Sequence, residues 1–285
     1  MRTKTSTLAG TWYPGTAEEL CRQVDEFLGP ADEQAGPVAG LVVPHAGYRY
    51  SGAVAGRAYG ALRGQVIGRV IILAPSHRAR FRGAAVLEVD AFETPLGRVA
   101  VDGIVAELSG RTLVQSAPAP FVHEHSVEIQ LPFLQRAAPG ARVVPLLFGA
   151  LAESDYPPLV ETIASLADDE TVYVVSSDFT HYGWRFDYQP FPATDAKAVR
   201  ARLRALDMSV IEPVLRHDAR AFQDVLDTTG ATVCGHVPIR TFIASPTLQQ
   251  PGRLLAYQTS LDVTGDYEHC VSYAAIAFPR AAAVS

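Results

Sequence analysis

Cysteine is scarce in this chain: 285 residues carry three, Cys21, Cys234 and Cys270, with none of the even, regular spacing of a secreted disulfide framework. A reduced, cytoplasmic setting is the expectation, and in it a cysteine among histidines reads as a metal ligand or nucleophile before it reads as half a disulfide. Long apolar runs are missing as well. Nothing approaches the roughly 18 residues of a membrane span, and no apolar stretch follows Arg2 and Lys4 to make a secretory signal. No membrane partner is expected. Basic charge is short too: 24 Lys and Arg stand against 30 Asp and Glu, a net −6, without the basic face of a phosphate-backbone binder. That argues against a nucleic-acid partner. Repeats, low-complexity tracts and long linkers are absent, so residues 1–285 read as one domain, and 48% hydrophobic with 19% charged residues is ordinary globular composition.

What the chain does have is a series of apolar runs that stop at ionisable residues. Val38–Val43 ends at Pro44-His45 and continues as Ala46-Gly47-Tyr48-Arg49-Tyr50-Ser51-Gly52. Arg69–Ala74 ends at Pro75-Ser76-His77, and Val172–Ser177 runs into Asp178-Phe179-Thr180-His181-Tyr182-Gly183-Trp184. Unbroken apolar runs are the mark of strands buried on both faces, and such sheets bind ligands beyond the carboxyl ends of their strands. Between them, Thr16–Leu28 reads as an amphipathic helix that holds Cys21, capped by Thr16 and closed by Gly29-Pro30. A polar connection follows over Ala31–Pro37. Ser51–Leu62, Val101–Leu108, Ser154–Leu166 and most of Ala193–Leu226 read as helical, the last with Pro213 marking a break or a new start. Further strands are expected over Ala84–Val89, Val143–Phe148, Leu254–Leu261 and Val271–Phe278, with a turn at Thr94–Gly97. Strands alternating with helices predict an α/β layered domain, a central mostly parallel or mixed sheet flanked by helices.

Taken together, His45, His77, Asp178 with His181, and Cys234 before the apolar helix through Ile239 and Phe242 supply neutral nitrogens and anionic donors for a transition metal. The bland alternative is that they are supporting or packing groups around a site that holds no ion. Tyr48, Tyr50, His125 and Trp184 are expected on the pocket walls. His123 and His125 open the helix through Ile129, Leu131, Phe133 and Leu134, where capping or support is expected rather than ligation. His217 reads as solvated, His236 as a neighbour of the Cys234-Gly235 turn, and His269 and Cys270 as residues without a visible partner.

Val43-Pro44-His45-Ala46-Gly47-Tyr48, Pro75-Ser76-His77, Thr94-Pro95-Leu96-Gly97, Glu124-His125-Ser126, Leu131-Pro132-Phe133-Leu134, Ser176-Ser177-Asp178-Phe179 with His181 and Gly183, and Cys234-Gly235 occur in this order. With Thr11-Trp12-Tyr13-Pro14 at one end and Tyr273-Ala274 at the other, the blocks resemble the MEMO family over nearly the whole chain. The resemblance implies a fold like that of the class III extradiol dioxygenases, non-haem Fe(II) enzymes that cleave catecholic rings. It also implies His45, His77 and Cys234 as metal ligands, with His181 at the acid/base position and Asp178 beside it. The dioxygenases use two histidines and a carboxylate, whereas this chain offers a thiolate, softer and suited to iron, copper or zinc. Three functions are therefore carried forward. The first is an oxygen-using redox enzyme with Fe(II), or copper, acting on a small phenolic substrate. The others are a non-catalytic metal- or peptide-binding signalling module, and a zinc hydrolase.

Overall fold

Described residues run from 2 to 30 and from 36 to 281 in this computed structural model, so residues 31–35 of the expected polar connection lie outside the described residues. In chain order the strands are β1 (Thr3–Lys4), β2 (Val38–Val43), β3 (Arg69–Pro75), β4 (Ala84–Val86), β5 (Ala91–Thr94), β6 (Gly97–Ala100), β7 (Val114–Ser116), β8 (Arg142–Phe148), β9 (Thr171–Ser176), β10 (His181–Tyr182), β11 (Arg253–Thr259) and β12 (Cys270–Pro279). The helices are α1 (Ala17–Leu28), α2 (Tyr48–Gly60), α3 (Ile104–Leu108), α4 (Leu131–Ala137), α5 (Tyr156–Ala164), α6 (Ala196–Leu215), α7 (Ala219–Thr229), α8 (His236–Ile243) and α9 (Leu261–Thr264).

β2 and β9 are buried along their whole length, and β3 and β8 are buried beyond their first residues, because both faces are covered. The four form the parallel heart of a mixed sheet ordered β10-β12-β2-β9-β3-β8-β4-β7, with β11 added antiparallel on β12. β12 runs antiparallel to β2, and β4 antiparallel to β8. Helix α2 packs against β2, β11 and β12, and α8 against β3 and β9. A smaller sheet, β1-β5-β6, carries the hairpin whose turn is Pro95-Leu96.

Several boundaries differ from the sequence-based expectation. Helix α2 starts at Tyr48, directly after Gly47, instead of at Ser51, which moves Tyr48 from a loop into a helix. The strand expected over Ala84–Val89 stops at Val86, and the hairpin strands β5 and β6 had no alternation long enough to announce them. Short 3-10 turns at Glu128–Gln130 and Glu153–Asp155 precede α4 and α5. Pro213 does not break α6, since it lies inside the helix. The break falls at His217, which adopts φ 58° in the left-handed region where helices end. His217 is also not solvated: its ring packs on Phe278 with centroids 5.2 Å apart, and burial lowers its pKa. His269 is partnered, its Nδ1 3.4 Å from the Asp266 carboxylate. Among the described residues no helix is long and apolar enough to cross a membrane.

Candidate metal centre

Three adjacent parallel strands deliver side chains to one crevice. β2 leads into His45, β9 into Asp178 and β3 into His77, and because β9 lies between the other two the three residues leave neighbouring carboxyl ends. Cys234 comes from the loop before α8, where Gly235 donates its N–H to Ser177 Oγ at 3.0 Å. A Cβ at Gly235 would stand 2.8 Å from the Ser176 carbonyl oxygen, so only glycine lets this loop come so close to β9.

His45 is 2% exposed and its Nε2 lies 3.1 Å from Cys234 Sγ. The donor atoms of His45, His77 and Cys234 all fall within 4.8 Å of one another. Bond lengths of roughly 2.0–2.3 Å to nitrogen and sulfur put donors around a shared cation about 3–4 Å apart, so two imidazoles and a sulfur at these separations fit a single ion. His77 Nδ1 is 2.9 Å from Glu124 Oε1, and Glu124 Oε2 accepts the His77 backbone N–H at 2.6 Å. An ionised carboxylate only accepts, so Nδ1 carries the proton and Nε2 keeps the lone pair a metal needs. Burial pushes the Glu124 pKa upward, but the hydrogen bonds it accepts from the His77 ring, the His77 backbone and the Ser126 N–H prevail and hold it at about 2. For Cys234, burial and then the Asp178 charge push the thiol pKa up, while the Asp178 N–H donates to Sγ at 3.2 Å. A bound cation would take the place of that thiol proton.

His181 presents an unprotonated ring nitrogen. Its Nδ1 lies 3.0 Å from the Phe179 carbonyl oxygen and 3.2 Å from that of Thr232. Carbonyls only accept, so the proton sits on Nδ1 and Nε2 is free to take another. Asp178 accepts the His45 backbone N–H at 2.8 Å, and burial raises its pKa to about 6 against the opposing pull of His181. Both residues line a cavity of about 410 Å³ with His45 and His77.

The other expected wall residues divide. Tyr50 and His125 line that cavity. The His125 ring stacks on His77 at 4.5 Å and meets Trp12 at 4.6 Å, and burial lowers its pKa to about 4, which keeps it neutral. Tyr48 does not line it: as the first residue of α2 it points into the core, where its hydroxyl donates to the Ile129 carbonyl at 3.0 Å and its ring meets Phe133. Nor does Trp184, which is 68% exposed and packs edge-on against His269. Trp12, Phe186 and Tyr273 stand on the wall instead. His236 is exposed and lines neighbouring cavities that also include Cys234. Glu124, Ser176, Glu128 and Gln130, to which sequence reasoning gave no individual role, support the site by hydrogen bonds. Glu124 and Ser176 were visible only as members of the blocks that carry the family resemblance, and Glu128 and Gln130 only as polar residues beside Ile129 and Leu131.

Comparison with known proteins covers almost all of this architecture. The family model described as Memo-like protein matches residues 4–277. A MEMO1 family protein of Caldivirga maquilingensis is 34% identical over 98% of this chain and 99% of its own length. Protein MEMO1 of Xenopus laevis is 33% identical over 94% of each chain. The protein memo-1 homolog of Caenorhabditis elegans is 31% identical over 95% of this chain and 81% of its own. On this match from end to end, the chain belongs to the Memo family.

Proposed function

We propose that this protein is a metal-dependent oxidoreductase that uses oxygen on a small phenolic substrate, with His45, His77 and Cys234 as ligands of an iron or copper ion. The observation that carries this reading is the convergence of two imidazoles and a sulfur within 4.8 Å, with both imidazoles lining the same cavity as His181, whose Nε2 is unprotonated. When bound, the metal supplies activation of oxygen and of the phenolate. The chain's own residues do the rest. A phenolic hydroxyl entering the cavity meets His181 Nε2, which takes its proton. Asp178 accepts the backbone N–H of His45, so it anchors the turn that carries that ligand. Trp12, Tyr50 and Tyr273 face a planar ring and exclude water from around it. In a catechol-type cleavage the ring bond beside the hydroxyls breaks and both atoms of O₂ end in the product, which keeps the reaction balanced without a further reductant.

The test begins with a metal inventory by mass spectrometry on protein purified without oxygen, followed by O₂ consumption across a panel of phenols and catechols. Iron or copper near one per chain, with substrate-dependent uptake of O₂, is the expected result. A fully metal-loaded protein that leaves the whole panel untouched overturns the enzymatic reading. Stoichiometric zinc would favour hydrolysis, which the same two-histidine, one-cysteine donor set also suits.

A further inference from the structure

We propose that Ser176, steered by Gln130, fixes the tautomer of His45 and so acts as a positioning residue of the metal centre. This rests on His45 being a ligand, and the protons can be counted along a buried chain. The Pro44 carbonyl oxygen lies 3.2 Å from Gln130 Nε2 and can only accept, so the amide NH₂ faces it. The opposite end of that amide, Oε1, accepts from the Tyr59 hydroxyl at 2.9 Å. The remaining amide hydrogen goes to Ser176 Oγ at 2.9 Å. Ser176 has one proton of its own, and at 2.7 Å from the Ser126 carbonyl it must spend it there.

What is left on Ser176 Oγ is an acceptor site, and it faces His45 Nδ1 at 2.9 Å. Only a donor fits. His45 therefore holds its proton on Nδ1 and its lone pair on Nε2, the nitrogen 3.1 Å from Cys234 Sγ. Tyr59 and Ser176 are 0% exposed, Gln130 is 1% and His45 is 2%, so solvent does not substitute for any link. An alanine at Ser176 removes the acceptor. The His45 proton then does better on Nε2, where Cys234 Sγ receives it, and the lone pair turns away from the site.

Nitrogen-15 NMR of the imidazoles in metal-free protein reads this directly, and Co(II) titration, followed by its thiolate absorption, reads the consequence. Wild type should show His45 protonated on Nδ1, and S176A should show it protonated on Nε2, with Co(II) bound roughly 10–100-fold more weakly, as for other lost supporting partners of ligand histidines. Gln130→Met, which frees Ser176 Oγ without removing it, should give mixed tautomers and a loss of about tenfold; it decides the matter if S176A does not fold. An Nε2-protonated His45 in wild type overturns the proposal. So does a folded variant pair with tautomer and affinity both unchanged. A wild-type protein that takes up no Co(II) would instead remove the metal reading, while the NMR result still judges the tautomer by itself.

Discussion

Truncating Glu128 to alanine should loosen the N-terminal wall of the cavity before it unfolds the protein. This carboxylate, 2% exposed, accepts from Ser6 Oγ at 2.7 Å, from the Thr7 and Leu8 backbone N–H groups at 2.9 Å, from Thr7 Oγ1 at 2.9 Å and from the Tyr13 hydroxyl at 2.9 Å. The donors do not all suffer equally when it goes. Thr7 is exposed and turns to water, and the Tyr13 hydroxyl keeps Ser6 Oγ at 2.8 Å. The Leu8 N–H is the one left buried without a partner, a cost of about 1–3 kcal/mol, and the lost bonds to a charged acceptor add about 1.5–3 kcal/mol. Release of residues 6–13 into water relieves both, so undocking of that segment sets the ceiling. Glutamine costs less. Four of the donors converge on Oε1, so its amide oxygen can sit there, while its NH₂ meets Thr7 Oγ1, which can reverse and accept; about 1 kcal/mol is expected. The chain has two tryptophans, and in a Trp184→Phe background Trp12 is the sole reporter. E128A should red-shift Trp12 emission and open residues 6–13 to protease with the far-ultraviolet circular dichroism unchanged, and urea unfolding should show a loss of about 3 kcal/mol. Unshifted Trp12 emission in E128A, or E128Q as damaging as E128A, would refute this reasoning.

Alanine at His181 should leave Co(II) affinity within about tenfold of wild type while turnover of any substrate found falls by about 10²–10⁴; equal loss of both would make His181 a ligand instead of a base. Gly235→Ala should cost about 1–3 kcal/mol through overpacking and weaken the metal site together with stability, because the new Cβ pushes on the Ser176 carbonyl; a neutral result by urea titration would contradict the close approach. His217 has its folded pKa lowered by burial, so below the unfolded value near 6.5 the unfolded chain takes up a proton that the folded chain refuses. Its contribution is complete above that pH and lost as pH falls toward the lowered folded value. His217→Asn, whose side chain tolerates the left-handed backbone, should therefore flatten the loss of stability between neutral and mildly acidic pH. An unchanged profile by urea denaturation across that range would count against the burial argument.

The parallel heart of the sheet was legible because strands buried on both faces leave unbroken apolar runs, as Val38–Val43 and Val172–Ser176 do. The prolines and polar residues after those runs marked where the crevice would be. Tyr48 and Trp184 show where the reading ends. Tyr48 was placed on the pocket because it lies three residues after His45, but α2 starts at Tyr48 itself and its first turn directs the ring toward Phe133. Trp184 was placed there because an aromatic beside His181 suggests a wall, yet the left-handed φ of 117° at Gly183 turns the chain, and Phe186 takes the position. Sequence proximity cannot resolve either case, since each turns on a backbone bend one residue long. Trp12 was missed as a wall for a different reason. The segment that carries it is held down on either side of Trp12 by a carboxylate more than a hundred residues away.

Such long-range ties have a pattern in the chain. Between Glu124 and Gln130 every second residue reaches a different part of the site: Glu124 orients His77, the Ser126 carbonyl takes the proton of Ser176, Glu128 clasps residues 6–13, and Gln130 steers Ser176 toward His45. All four are 2% exposed or less. Buried polar groups are costly unless each is satisfied, and an apolar segment in the same place would have been simpler to stabilise. A segment of this composition makes sense if the geometry of the histidines has to be held tightly, because packing alone sets where an imidazole lies and hydrogen bonds set which of its nitrogens carries the proton. The two histidines of the proposed ligand set come from strand ends, but which nitrogen of each carries the proton is decided by this one segment, which contributes no ligand of that set.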